Sequence, residues 1–412
     1  MPIAPGRDGT RIPTGVWVLG FVSMLMDISS EMVHSLLPLF LVGSLGVSVV
    51  VVGLIEGIAE STALITKVFS GALSDWLGRR KGLALLGYAM GAFTKPVFAL
   101  ATGAGMVVAA RFVDRIGKGI RGAPRDALVA DLTPPGSRGA AFGLRQSLDT
   151  VGAFVGPLLA TALMLLWAND FRAVFWVAVV PAVLAVVLLA VGIREPPRVA
   201  AAPVLNPIRK ESLKRLDRRY WRVVAIGAVF TLARFSEAFL VLRAAELGVA
   251  IAWVPLVMVA MNVVYAASAY PFGKLSDSIG RGRLLALGMV VLIVSDGVLA
   301  LASSWALLGL GVALWGVHMG MTQGLLAAMV ADTAPAELRG TAFGVFNLFS
   351  GIAMLVASVV AGVLWQAFGS AFTFGAGAAF AALALGALAV GDRAPKPPSS
   401  PSSPTSSPHT EQ

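Results

Sequence analysis

The sequence is divided into apolar runs of about 20 residues separated by short polar segments. A helix that crosses a hydrocarbon core of ~30 Å needs that length, and it satisfies every backbone N–H and C=O internally, which lipid demands. The runs lie at 15–43, 50–74, 82–102, 105–131, 140–166, 172–193, 222–246, 252–274, 284–303, 305–331, 341–365 and 370–391. With 57% hydrophobic and only 13% charged residues, the chain departs far from a soluble composition of about a quarter charged. The reading is an all-α membrane protein with twelve transmembrane helices.

The formal charge of +10 does not point to nucleic acid, because the basic residues outside the apolar runs gather in particular short segments. Arg79, Arg80 and Lys81 form one, Arg138 marks another, and positions 194–222 hold nine Lys/Arg against three Asp/Glu. The loops around Gly46, Gly103 and Ser303 contain none. Basic loops stay on the cytoplasmic side, so both termini are expected in the cytoplasm and the chain in the cell inner (plasma) membrane. There is no cysteine, so disulfides and thiolate sites play no part. The N-terminal segment is short and polar, with no cleavable signal expected. Positions 194–221 read as a cytoplasmic linker with a short surface helix near 208–216. The Pro/Ser-rich stretch 392–412 lacks the apolar content to bury itself and reads as a disordered tail.

Half of the chain repeats the other half. Gly71-Ala-Leu-Ser-Asp-Trp-Leu-Gly-Arg-Arg-Lys-Gly-Leu83 returns 202 residues later as Gly273-Lys-Leu-Ser-Asp-Ser-Ile-Gly-Arg-Gly-Arg-Leu-Leu285, identical at seven of thirteen positions. Val129-Ala-Asp-Leu-Thr-Pro-Pro-Gly-Ser-Arg-Gly-Ala-Ala-Phe-Gly143 returns 201 residues later, starting at Val330, identical at nine of fifteen. Six crossings bring a chain back to its starting side, so the halves are parallel copies related by an axis along the membrane normal. Two pseudo-symmetric six-helix bundles are expected, 15–193 and 222–391.

These residues resemble the major facilitator superfamily. The segment 71–83 is similar to its loop motif G-x-L-a-D-r-x-G-r-k, and Gly152-Ala-Phe-Val-Gly156-Pro157 is similar to the G-x-x-x-G-P motif of its drug/proton antiporters, with Ala160 at a usual glycine. The stretch 114–126 resembles a prokaryotic permease subgroup whose substrates are mostly unassigned. The resemblance implies secondary transport by alternating access, efflux by an antiporter, no enzymatic activity and no cofactor or resident metal. Its implied partners are a small-molecule or ion substrate, protons and the lipid bilayer, with a monomeric chain. It also implies a conformational latch from Gly71, Asp75, Gly78, Arg79, Asp131, Asp277 and Arg281, in which Arg79 pairs with Asp131. The second copy has Ser278 and Gly282 where charge is usual, and a weaker latch is expected there. Gly152, Gly156 and Pro157 imply close helix packing and a bend.

Ionisable residues inside spans cost ~2.5–3.5 kcal/mol each on insertion scales, and mark a pathway, a proton relay or a pairing partner. Asp27, Glu31 and His34 share a face of the first span, and Glu56, Glu60 and Lys67 a face of the second. Arg111, Arg115, Lys118 and Arg125 form a stripe on the fourth, with Asp114 and Arg121 at its edge. The seventh carries Arg234 and Glu237, the ninth Asp296, the tenth His318 and Gln323. Spans one, four, seven and ten line the cavity in the family's fold. Two readings stay open for the basic stripe. From Asp27 to Asp149 the spans hold, Asp131 at the end of the fourth aside, eight basic and seven acidic residues, a balance that fits a buried ion-pair network. Alternatively Arg115, Lys118 and Arg121, with Arg234, Glu237, His318 and Gln323, bind a small anionic or amphipathic solute while Asp27, Glu31 and His34 carry protons. A divalent-metal exporter using the carboxylates with His34 and His318 is the alternative function.

Overall fold

A computed structural model describes residues 12–77, 79–134, 137–195, 213–322, 325–335 and 338–392. Helices follow the apolar runs: α1 Thr14–His34, α2 Val49–Leu77, α3 Arg80–Leu100, α4 Ala104–Leu132, α5 Arg138–Leu166 and α6 Phe171–Gly192 in the first half. In the second half α7 runs as two pieces, Arg218–Ala233 and Ala238–Glu246, followed by α8 Leu256–Ile279 and α9 Arg281–Leu301. Then come α10, described over Trp305–Thr322 and Leu325–Thr333, α11 Arg339–Phe368 and α12 Ser370–Asp392. Eleven of these spans are long and apolar enough to cross a membrane. The twelfth, α4, has the length but carries the basic stripe, so its charges need partners inside the protein. The surface helix expected near 208–216 and the tail from 393 fall largely or wholly outside the described residues.

The helix pairings of the first half recur in the second. α1 packs on α5 and α6, α4 on α2 and α3, and α3 on α6; in the same order α7 packs on α11 and α12, α10 on α8 and α9, and α9 on α12. The halves meet through α2 with α11 and α5 with α8, again a symmetric set. Glycines make the α2–α11 seam possible: a Cβ on Gly53 would lie 2.3 Å from the Ser358 carbonyl, and one on Gly362 2.9 Å from that of Val49.

α1 and α7 deviate from straight helices at matching positions. α1 bends at Ser35, where the hydroxyl donates back to the Glu31 carbonyl (2.7 Å) and Pro38 follows, after which a short turn Leu37–Leu39 and a π-turn Phe40–Ser44 complete the crossing. The break in α7 falls at Ser236, 201 residues on. There the Ser236 hydroxyl accepts the Ala238 N–H (3.2 Å) and starts the second piece as a serine cap does.

Apolar packing closes one side only. Away from the linker, Phe40, Leu41 and Val52 of the first half join Phe239, Leu240 and Val254 of the second in one cluster. On the linker side, Leu19, Tyr88 and Leu128 form a cluster of the first half alone, and Tyr220, Val330 and Leu338 one of the second half alone. The space between the halves therefore has a floor on the far side and opens toward the linker.

α5 presses two glycines onto α1, beside the charged face. A Cβ on Gly152 would stand 2.7 Å from the Met24 carbonyl and 2.9 Å from the Asp27 Cβ; one on Gly156 would stand 2.7 Å from the Glu31 Cβ and 2.8 Å from the Ile28 carbonyl. Backbone cannot yield as a flexible side chain does, so Gly156→Val is expected to cost about 1–3 kcal/mol. Thermal unfolding of the detergent-purified protein checks this, and an unchanged midpoint would show that α1 and α5 do not approach so closely.

Candidate functional site

α1, α2 and α4 bring their charged faces together, and the contacts form one chain. Lys95 Nζ on α3 lies 3.0 Å from Asp114, which also takes Arg115 at 3.5 Å. Arg115 meets Glu60 at 3.2 Å, and Glu60 lies 4.0 Å from Arg111. Arg111 donates to Glu56 at 2.9 Å. His34 Nε2 stands 3.4 Å from Glu56, and its Nδ1 3.7 Å from Glu31. The chain ends in the other half, where the Ser236 hydroxyl donates to Glu56 (3.3 Å). Lys95, Glu56, Arg111, Asp114 and Arg115 are all buried, and buried charge is tolerated because each meets an opposite charge. A second group lies nearer the linker: Arg125 pairs with Asp126 (3.1 Å) and donates to Ser23 (3.1 Å), while Arg145 pairs with Asp149 and lies 3.7 Å from Asp126.

Two spaces that share Glu31, Glu60 and Lys118 as lining residues lie against these networks. One, about 490 Å³, is walled by Asp27, Glu60, Lys67, Lys118, Arg121 and Asp149 of the first half and by Asn262 and Tyr265 of the second. The deeper one, about 270 Å³, is bounded by Glu31, His34, Arg115 and Lys118 on one side and Arg234, Phe235, Glu237, Trp315, Met319 and Met354 on the other. Charge is thus concentrated on the first half, while aromatic and methionine surface comes from the second.

Periodicity placed Arg115, Lys118 and Arg121 together, but their surroundings differ. Arg115 is taken up by Glu60 and Asp114. Lys118 is exposed to both spaces and makes no ion pair among the described residues. Arg121 is buried over the Tyr88 ring (4.8 Å) with Nη1 lacking a hydrogen-bond partner. In the second half Arg234 sits at the α7 break, 5.8 Å from the Phe230 ring, and Glu237 heads the second piece without capping it. Asp27 faces the larger space from α1. His318 is fully buried against Phe230 and Trp315, with its Nδ1 3.4 Å from the Thr322 hydroxyl. Gln323 lies outside the described residues. Among the described residues no three His, Asp or Glu side chains come together to hold a metal ion.

On the linker side, Asp131 receives Arg80 rather than Arg79. α3 begins at Arg80, so Arg80 projects from the first helical turn onto the end of α4, where it also donates to the Ala127 carbonyl (3.0 Å). Glu195 covers the same helix start, accepting the Arg80 N–H at 2.5 Å. The second half repeats the arrangement with Arg281, Asp332 and the Ala328 carbonyl. Its side chains are 38% and 61% exposed against 11% and 33% for Arg80 and Asp131, so solvent screens the second pair more. Gly78 and the side-chain positions of Gly71, Asp75 and Asp277 lie outside the described residues.

The sequence reading assigned no site role to Glu56, Glu60, Phe235, Trp315 or Tyr265. The first two were visible as charges on one face of α2. The aromatic residues carried no signal that separates a cavity wall from ordinary core.

Comparison with known proteins agrees with this architecture. The Major Facilitator Superfamily profile matches residues 19–244 and again 223–410. An MFS-type transporter of Methanocaldococcus jannaschii is 33% identical over 368 residues, covering 87% of this chain and 90% of its own length. The multidrug resistance protein MdtH of Proteus mirabilis is 30% identical over 222 residues, 53% of this chain and 54% of its own. A bacterial homolog of the human lysosomal transporter Spinster, solved in an inward-facing conformation, has a TM-score of 0.77 at 16% identity, covering 92% of this chain and 96% of that one. With two six-helix bundles around a central charged cavity, and with matches of this extent, the chain belongs to the Major Facilitator Superfamily and is a multi-pass membrane transporter rather than an enzyme.

Proposed function

We propose that the protein is a proton-coupled exporter of a small organic solute, anionic or amphipathic, in the inner (plasma) membrane, with both termini cytoplasmic and the cavity open to the cytoplasm here. The observation that carries the cargo class is the set of cations left over once the networks are formed. Among the described residues, Lys118, Arg121 and Arg234 border the cavity without an ion pair, while the other cations of the stripe are matched by carboxylates. An anionic group on the cargo gains Coulomb energy from these cations, and at the buried Arg121 it also relieves the cost of an unpartnered Nη1. Phe235, Trp315, Met319 and Met354 offer apolar and polarisable surface to the rest of the molecule. Efflux is supported by the MdtH relatives, which are multidrug resistance proteins.

Asp27 suits the proton because it faces the same space as Lys118 and Arg121 and has no ion pair among the described residues. Cargo and proton compete when the cargo also donates a hydrogen bond to the ionised Asp27 carboxylate, because a proton there takes up the acceptor, so loading one releases the other. Latching of the linker side by the loop motif in the opposite conformation completes alternating access.

Reconstituted vesicles test this. Lys118→Ala and Arg234→Ala are each expected to lower uptake of an amphipathic organic anion about tenfold to a hundredfold, the loss of a charge-assisted hydrogen bond. Asp27→Asn is expected to abolish pH-gradient-driven flux while sparing cargo exchange at equal pH. Anion flux indifferent to both cation substitutions would overturn the cargo class, and gradient-driven flux in Asp27→Asn would overturn the coupling.

A further inference from the structure

Among the described residues, one buried ionisable group of the second half makes no hydrogen bond. Asp296, in the middle of α9, is fully buried, and neither carboxyl oxygen has a hydrogen-bond partner among the described residues. Its neighbourhood is closely set. A Cβ on Gly377 of α12 would lie 2.5 Å from Asp296 Oδ2 and 3.0 Å from the Phe235 ring, so the carboxyl group rests on the α12 backbone beside Phe235. Phe235 is the residue at the α7 break that walls the deeper space. It packs on Phe239, Trp315 and Phe374 at ring distances of 5.3, 5.6 and 5.5 Å. Phe235 therefore borders both the Asp296 carboxyl group and the cavity.

The internal repeat shows what is unusual here. At the 201-residue spacing the counterpart of Asp296 is Lys95, and the counterpart of Lys95's partner Asp114 is Trp315. The first half buries an ion pair at 3.0 Å; the second buries a carboxyl group alone. The titratable and charged groups on the elements packed around it are few. α10 presents His318, engaged with Phe230, Trp315 and Thr322. α7 presents Arg234 and Glu237, both facing the cavity, and the buried Arg243, which is taken up by Glu246, the Ser370 hydroxyl and the Leu299 and Ala302 carbonyls. α8 presents Tyr265, also at the cavity wall, and α12 has no ionisable residue between Ser370 and Ala389. None forms an ion pair with Asp296. An isolated carboxylate in such surroundings costs far more than a neutral carboxyl group.

We propose that Asp296 is a proton-binding site of the second half, occupied in this conformation and opened to the cavity when Phe235 moves with the α7 break. Release breaks the carboxyl O–H bond, passes the proton to cavity water and leaves a carboxylate that only water or a cation reaching it past Phe235 stabilises. Its use in transport rests on the proton-coupled reading above; occupancy by a proton does not, and is tested separately.

Infrared difference spectroscopy of the lipid-reconstituted protein at neutral pH reads occupancy without any cargo. The wild type minus Asp296→Asn spectrum is expected to show the C=O band of a protonated carboxyl group, with slow shift in D₂O. Phe235→Ala is expected to speed that shift about tenfold or more, because it opens the path to water. An ionised-carboxylate band in place of the protonated one overturns the proposal, as does an exchange rate indifferent to Phe235→Ala. Should Asp296→Asn fail to fold, aspartate-specific isotope labelling in an Asp27→Asn background reads the same band. Once the band is present, an unchanged number of protons moved per cargo in Asp296→Asn vesicles would remove the coupling role and leave the site.

Discussion

Glu56→Ala is expected to lose most folded protein from the membrane. Glu56 is fully buried and receives Arg111 at 2.9 Å, His34 at 3.4 Å and the Ser236 hydroxyl of the opposite half at 3.3 Å. Without it the Arg111 guanidinium keeps only Glu60, at 4.0 Å. Breaking a buried pair from one side costs about 3–5 kcal/mol, because the remaining charge stays buried. Against a total stability of about 5–15 kcal/mol that is a large fraction. The combined Glu56→Leu, Arg111→Leu protein is expected to recover most of the stability, since removing both charges removes the uncompensated one. Yield of monodisperse protein and the thermal midpoint in detergent decide it; a Glu56→Ala protein as stable as the wild type would show that the chain of charges is not what holds α1, α2 and α4.

Gly53→Val is expected to block transport with the helices still formed. The Cβ it adds would lie 2.3 Å from the Ser358 carbonyl of α11, with the Gly362 Cα at 3.3 Å. Both neighbours are backbone, so the halves themselves must separate at the seam on which they rock. Overpacking costs about 1–3 kcal/mol within a core, and here it also displaces one conformation relative to the other. Flux in vesicles is expected to fall about a hundredfold while circular dichroism keeps its helical signature. Normal flux would mean that α2 and α11 do not remain in contact during the cycle.

The spans, their number and the duplication were legible in the residues because they depend on one-dimensional quantities. A helix crossing lipid needs a set length of apolar sequence, and a repeated unit leaves identical residues such as Val129-Ala-Asp and Val330-Ala-Asp at a fixed spacing. Even α4, too charged to pass as an apolar crossing, could be placed between its neighbours, and its stripe marked as one face.

Which charge serves which purpose was decided only in three dimensions. Arg115 and Lys118 are three residues apart on one helix, yet Arg115 meets Glu60 of α2 while Lys118 looks into the cavity. The α7 break was invisible because Phe235, Ser236 and Glu237 include no proline or glycine; it forms where Ser236 both caps a helix start and reaches Glu56 in the other half. Arg79 and Arg80 are indistinguishable in a loop motif, and the first turn of α3 selects Arg80. Sequence determines how many helices enter the bilayer and which of their faces are polar, since both follow from residue type and helical period. Ion pairing depends on distances between side chains far apart in the chain, so tertiary packing alone settled which charges are matched and which, like Lys118, Arg234 and Asp296, are left without an ion pair.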